Sequence, residues 1–409
     1  MRILFLSHYF PPEVNAPANR TFEHARQWVR DGHDVTVITG VPNHPRGELF
    51  PGYANRWLQH EEIEGIHVLR TWMYLTANEG FVRRTLNYLF FALTAVLASL
   101  RATRPDVVIA TSPQFFCGCA GAIVAALKRR PFVLEVRDLW PDSIVELGQL
   151  RTRWIITALR HLETWLYRRA AGIVVNARAF IEHIAGCGVP RERIALIYNG
   201  IDPALFHPRP KDDALLNQHR LQGKFVVAYM GTLGLAHGLT TLLEAAEKLR
   251  GRPEIVFLLL GDGADRAHLE RETEVRSLKN VRLLGLRPRH EIPAWIASCD
   301  LLLVLLRDLP VFRTVIPSKL FEYLAQERPV ILAVPSGEIC ELVSEARAAY
   351  VVEPEKSTSL VQAIEQCRRD PAGAQAQARN GREWVEQHFN RTRLAREMAR
   401  FLETRAARD

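Results

Sequence analysis

Lysine is scarce in this chain: seven residues of 409, so that nearly all of the 53 basic residues are arginine. The basic residues are spread along the sequence and form no tract, so the net charge of +8 is a weak argument for nucleic acid. An anionic membrane surface suits that distribution better. Cysteine is sparse too. Cys117, Cys119, Cys187, Cys299, Cys340 and Cys367 show neither metal-ligand spacing nor the density of a disulfide framework, which points to a reducing cytoplasm. The glycine pattern of a dinucleotide site (G-x-G-x-x-G) is missing, and so is a D-x-D metal motif. No apolar run reaches the ~18 residues of a membrane-crossing helix. The nearest, Thr85 to Leu100 between Arg83–Arg84 and Arg101, would be ~24 Å long as a helix. Two readings stand for it: a core helix of a large sheet, or a helix lying in a membrane interface. Phe81, Tyr88, Phe90 and Phe91 give it an aromatic surplus that one sheet face does not need, which keeps the second beside a slightly preferred first. The first apolar run, Arg2 to Ser7, is too short for a secretion leader, and His8, Pro11, Pro12 and Glu13 follow it. It reads as a buried strand.

A chain of this length with 48% apolar and 24% charged residues is a folded protein of about two domains. Strand-like runs near 2–7, 34–39, 66–70, 106–111, 132–136, 172–176 and 193–198 alternate with helical stretches. A second series begins near 225, with strands near 255–260, 281–285, 300–305, 329–334 and 348–352. The fold class is therefore α/β, two doubly wound parallel-sheet domains. The Pro/Gly-rich stretch from Asn199 to Pro210 reads as the hinge between residues 1–203 and 204–390. The last helix, within 391–409, is free to pack back onto the first domain.

Ligands of open parallel sheets bind beyond the carboxyl ends of the strands. The loops there carry the candidate chemistry. After the first strand, His8, Glu13, Asn19 and Arg20 either meet a substrate or tie down a long loop. After Phe132–Val136 come Arg137, Asp138 and Trp140, a carboxylate beside an aromatic ring that suits a sugar. Asp138 is placed as a base or a helix cap. In the second domain, Gly231-Thr232-Leu233-Gly234-Leu235-Ala236-His237-Gly238 follows a strand and lets backbone approach a phosphate. Gly261-Asp262-Gly263 and Leu286-Arg287-Pro288 follow the next two. Finally, Pro317-Ser318-Lys319-Leu320-Phe321-Glu322 reads as a helix start, with Ser318 as cap and the amides of Lys319 and Leu320 offered to an anion. Lys319 and Glu322 are three residues apart, so they form either a surface ion pair or a phosphate-and-ribose site.

Taken together these segments resemble family 4 of the glycosyltransferases, a GT-B-fold group of mostly retaining enzymes. The resemblance runs through Gly32-His33-Asp34-Val35-Thr36-Val37-Ile38-Thr39, Arg137-Asp138, Asn199-Gly200-Ile201-Asp202, the Gly231 and Gly261 loops, and Pro317-Ser318-Lys319 with Phe321-Glu322-Tyr323. Within the family the chain is similar to the bacterial O-antigen and colanic acid branch, including N-acetylfucosaminyl (fucosamine) transferases. The resemblance implies two Rossmann-like domains facing a central cleft. It implies a nucleotide-diphosphate sugar, UDP-linked, on the C-terminal domain. Gly231, Thr232, Gly234, His237, Gly261, Ser318, Lys319 and Leu320 would surround the diphosphate, Glu322 the ribose and Arg287 the base. The acceptor, a saccharide on a polyprenyl diphosphate, would meet His8, Asn19, Arg20, Arg137 and Trp140 of the N-terminal domain. The sugar implied is an N-acetylated deoxyhexose, and the setting is surface polysaccharide synthesis at the cytoplasmic face of the membrane. No cofactor, metal or nucleic acid is implied.

The chain departs from the family pattern at several positions. Thr232 stands where many relatives have arginine, His237 where they have lysine, Thr314 where they have the first glutamate of a Glu-x7-Glu pair, and Arg137 where they have histidine. Lys319 thereby becomes the chief cation for the departing diphosphate, with His237 and Arg313 as further candidates. Lys319, Asp138 and Glu13 are the candidate catalytic residues; Asp138 or Glu13 would act as base if configuration inverts. A nucleotide-sugar epimerase of similar fold and a non-catalytic nucleotide-sugar-binding membrane partner are the alternatives.

Overall fold

Runs such as Ile255–Leu260 and Leu301–Leu305 are apolar at every position and buried throughout. A strand with both faces buried belongs in a parallel sheet covered by helices on either side. The computed structural model, which describes residues 1–76, 80–112, 114–146, 148 and 150–407, contains two such sheets. The first comprises β1 (Arg2–Leu6), β2 (Asp34–Gly40), β3 (Leu58–Ile63), β4 (Ile66–Thr71), β5 (Val107–Thr111), β6 (Phe132–Val136), β7 (Gly172–Val175) and β8 (Ile194–Leu196). Their order is β3-β4-β2-β1-β5-β6-β7-β8. The second comprises β9 (Phe225–Met230), β10 (Ile255–Leu260), β11 (Val281–Gly285), β12 (Leu301–Leu305), β13 (Val330–Ala333) and β14 (Tyr350–Val352), in the order β11-β10-β9-β12-β13-β14. Every pairing is parallel except β3 with β4. The sequence reading has no counterpart of β3: its Leu-Gln-His-Glu-Glu-Ile is polar and half exposed because it pairs only at the sheet edge.

The chain divides into two units, Met1–Asn199 with Arg391–Asp409, and Gly200–Asn390. The return of the last helix, Arg391–Ala406, has a clear physical cause. Leu394, Ala395, Met398 and Leu402 lie on one face and are buried in the first unit's core beside Trp28, Val35 and Val107. Each leucine so buried stabilises by about 1.5–3 kcal/mol. Trp28 Nε1 donates to Ala395 O at 2.8 Å, and Arg391 pairs with Glu23 below the surface.

In the second sheet the strand order reverses between β9 and β12. Their ladder runs only through Val227–Leu301 and Ala228–Leu302, so the strands part before Met230. That divergence opens the crevice in which open α/β sheets hold ligands. The helix Ser318–Ala325 lies against it. Phe321 of this helix stacks on Phe389 (centroids 4.4 Å apart), and Trp384 meets Phe389 edge-on at 4.7 Å, which fixes the helix from behind.

Candidate active site

Four loops of the second unit follow β9, β10, β11 and the short 3-10 turn Pro310–Thr314. The first two touch backbone to backbone: a Cβ on Gly261 would lie 1.8 Å from Gly231 O, so only glycine fits. Leu233 N–H donates to Asp262 O at 3.0 Å and Gly231 N–H to Leu260 O at 2.8 Å, which locks the pair. Gly231 has φ +133°, and a side chain there would collide with Lys319 Nζ at 2.8 Å. The glycine thus leaves the seat that the ammonium occupies.

Lys319 Nζ sits 3.8 Å above the Tyr229 ring centroid. It is buried and finds no hydrogen-bond partner among the described residues. Burial pulls its pKa from 10.5 down to about 7, although the Glu322 carboxylate opposes the shift. An amine so held has its charge stabilised by a ring face and by a carboxylate that does not touch it, and an arriving anion would supply the missing hydrogen-bond partner. Glu322 does not pair with it directly. Its carboxylate turns to Arg289, 3.5 Å away, and burial raises its pKa against the pull of Arg289 and Lys319. Of the two arrangements that the spacing allows, the direct Lys319–Glu322 ion pair is not formed.

The helix start also differs from expectation. Pro317 is the cap residue, Ser318 is already helical, and no side chain caps the turn. Leu320 N–H closes on Pro317 O at 3.1 Å, so it is not offered outward. His237, expected to assist with charge, is neutral: burial and the neighbouring Lys319 lower its pKa to about 3, while Nδ1 faces Leu305 O at 3.2 Å. Its ring instead walls Tyr229, 5.6 Å away. Arg313 is exposed, as are Gly231 and Thr232, whereas Gly234 is half-buried. Arg287 lies 5.6 Å over the Trp295 ring with Nε buried and unpartnered.

One residue escaped the sequence reading. The Tyr323 hydroxyl accepts Met230 N–H at 3.1 Å and donates to Met230 O at 3.0 Å. It replaces the strand neighbour that β12 no longer provides. Thereby it ties the Lys319 helix to the strand end that carries Gly231. The signal was present as a tyrosine beside Glu322, but its partner lies 93 residues away.

In the first unit the expected residues separate into two kinds. Arg20 uses four of its five N–H donors within the sheet: Nε with Glu135 at 2.7 Å, Nη1 with Tyr198 O and Asn199, Nη2 with Ile197 O. It braces the sheet. Glu13 likewise serves the backbone. Its Oε1 accepts from Asn43 and His44 N–H at 3.0 and 2.9 Å, and burial raises its pKa to about 7. A carboxylate so occupied positions the loop that carries Asn43 and His44. His8 is boxed by Tyr9, Tyr88 and Phe91 and is neutral, its pKa lowered to about 3 by burial. Asn19 is half-buried in the first turn of the helix Ala16–Arg30.

The residues after β6 are freer. Arg137 has Nε and Nη1 buried without partners, and burial lowers its pKa to about 10 against the attraction of Glu135. Burial raises the Asp138 carboxyl, opposed by the Ser143 hydroxyl and the Leu139 amide. Trp140 stacks on Phe115 at 4.5 Å. A pocket that the sequence reading did not single out is lined by Tyr9, Asn43, His44, Arg84, Asn87 and Tyr88, among others. Tyr9 and Asn43–His44 follow β1 and β2, the positions from which ligand contacts come in such sheets. Among the described residues no cluster of His, Cys, Asp and Glu is arranged to hold a metal.

Residues 15–200 match the family described as "Glycosyl transferase 4-like domain", and residues 212–384 match "Glycosyl transferases group 1". A glycosyl transferase proposed for colanic acid biosynthesis, WcaI of Escherichia coli K12, is 28% identical over 90% of this chain and 92% of its own. The 2-deoxystreptamine glucosyltransferase of Streptomyces kanamyceticus is 26% identical over 76% of this chain and 80% of its own. The crystal structure of Anabaena HepE in complex with UDP and glucose superposes with a TM-score of 0.73, at 22% identity over 98% of this chain and 99% of that one. With two family matches that between them span nearly the whole chain, the protein is a GT-B-fold glycosyltransferase related to enzymes of colanic acid and polysaccharide biosynthesis.

Proposed function

We propose that the protein transfers a sugar from a nucleotide-diphosphate donor, UDP-linked, to a lipid-linked saccharide at the cytoplasmic face of the membrane. The observation that carries this is Lys319: a buried amine with no hydrogen-bond partner, seated over Tyr229 and against Gly231 beyond the ends of β9 and β10. Breaking the anomeric C–O bond leaves negative charge on the diphosphate. A fixed cation there stabilises that charge without reorganisation. Ser318 and Thr232 flank the same place, Glu322 with Arg289 takes the ribose hydroxyls, and Arg287 borders the base. Asp138, Arg137 and Trp140 belong to the acceptor side, with Asp138 receiving the hydroxyl proton if attack inverts configuration. The polysaccharide setting is supported by the relationship to the colanic acid enzymes. An N-acetylated deoxyhexose is the sugar this reading favours.

Labelled UDP-sugars incubated with and without membrane lipid extract test the reading. Incorporation into lipid that depends on extract is expected. Isomerised donor without extract would mean an epimerase, and saturable binding without turnover a binding protein; either result overturns the proposal.

A further inference from the structure

Among the described residues, one face of the helix Phe81–Ser99 is left exposed. Val82, Leu86, Leu89, Leu93, Leu97 and Leu100 recur every three or four residues and so form one stripe. All six are exposed, Leu93 to 58% and Leu100 to 64%. The opposite face is buried through Phe91, Thr94, Ala95 and Ala98. The neighbouring helix, Phe115–Lys128, widens the patch with Ile123 and Leu127, one turn apart and both exposed. Lys128 Nζ donates to Ala102 O at 2.9 Å and ties the two helix ends together. Most of the aromatic surplus noted in the sequence has another use: Tyr88 and Phe91 turn inward around His8, while Phe90, exposed at the rim of the aliphatic stripe, packs beside Trp72 and Tyr74. The side chain of Phe81 lies outside the described residues.

The charges around the patch have one sign. The chain carries 45 acidic residues, yet none falls between Gly80 and Pro105 or between Val107 and Leu134. Arg83, Arg101, Arg104 and Arg129, all exposed, fringe the leucines. A second copy of this chain on a two-fold axis would bring these cations against their like. An anionic bilayer complements them, with leucines at the acyl boundary and arginines at the phosphates. No helix among the described residues is long and apolar enough to cross a membrane, so this one would lie in its plane.

We propose that this two-helix face docks the first unit on an anionic lipid surface. The inference deepens the proposed function, whose acceptor is lipid-linked. Arg84, Asn87 and Tyr88 of the same helix line the pocket beside Tyr9 and His44, so docking would hold that pocket at the height of lipid head groups. Flotation of the full chain with vesicles tests it, using phosphatidylcholine alone or with about one third phosphatidylglycerol. Binding at least about tenfold tighter to the anionic vesicles is expected. Leu93→Asp with Leu97→Asp should lower it by more than about tenfold, and Arg101→Glu with Arg104→Glu should erase the preference for anionic lipid. UDP binding, read by thermal shift, should survive in both variants. Equal binding to the two vesicles overturns the proposal. So does wild-type flotation of either variant, or a dimer in light scattering that the leucine variant dissolves. Flotation needs no donor, so its success with a chain that ignores UDP would keep the docking face and sink the transferase reading.

Discussion

Replacing Lys319 with methionine removes the charge and keeps most of the volume, and its two effects have opposite signs. A cation about 4 Å from the departing diphosphate contributes roughly 4 kcal/mol at an effective dielectric of 20. Losing it should cut kcat on the order of 10²–10³-fold, the scale seen for loss of one preorganised charge-stabilising group. Stability should move the other way. Burial holds the folded pKa near 7 against 10.5 for the free side chain. Between those values the unfolded chain binds a proton that the folded chain has released, so wild-type stability climbs as pH rises from about 7 to 10.5. Below about pH 7 the full burial cost remains, on the order of a few kcal/mol. Lys319→Met escapes it, and at ~2–4 °C per kcal/mol should melt several degrees higher at neutral pH. Its melting temperature should also lack the wild-type climb over the alkaline range. Initial rates of UDP release and melting curves from pH 6 to 10 measure both. A folded variant that turns over near the wild-type rate, or one that melts no higher at pH 7, would refute the reasoning.

Glu322→Gln should raise the donor KM by roughly 10–100-fold, about 1.4–2.7 kcal/mol of lost ribose contact, with kcat nearly unchanged; steady-state kinetics at saturating acceptor checks this. Tyr323→Phe leaves Met230 N–H and C=O without their hydroxyl partner, so stability should fall by about 1–3 kcal/mol, and the donor KM should rise because Gly231 and Lys319 lose their tie. Arg20→Ala strips the partner from buried Glu135, whose pKa burial would raise but which Arg20 and Arg137 hold at about 2; the expected cost is about 3–5 kcal/mol of stability. A stable Arg20→Ala enzyme with only a raised acceptor KM would mean that Arg20 meets the acceptor and does not brace the sheet.

What was legible in the sequence was local. Uninterrupted apolar runs reveal parallel strands, and glycines directly after them reveal the loops around Gly231 and Gly261. The Lys319–Glu322 helix start is readable for the same reason. Long-range partners are not. Arg20 and Glu135 are 115 residues apart, so the sequence gives no sign that this arginine braces the sheet. The loop-holding contacts of Glu13 were equally hidden, because its partners, the amides of Asn43 and His44, are backbone groups that no side-chain pattern announces. Spacing placed Lys319 and Glu322 on adjacent positions, but rotamers sent one to Gly231 and the other to Arg289. The leucine stripe was visible as hydrophobicity, whereas its exposure depended on which face the sheet claimed.

The donor site proposed for the second unit is tested most directly by a crystal structure with UDP bound. Lys319 Nζ should lie within about 3 Å of a diphosphate oxygen, at the charge-assisted distance, with the Glu322 carboxylate on the ribose hydroxyls. A diphosphate held elsewhere, with Lys319 still resting on Tyr229 and bound to nothing, would contradict it.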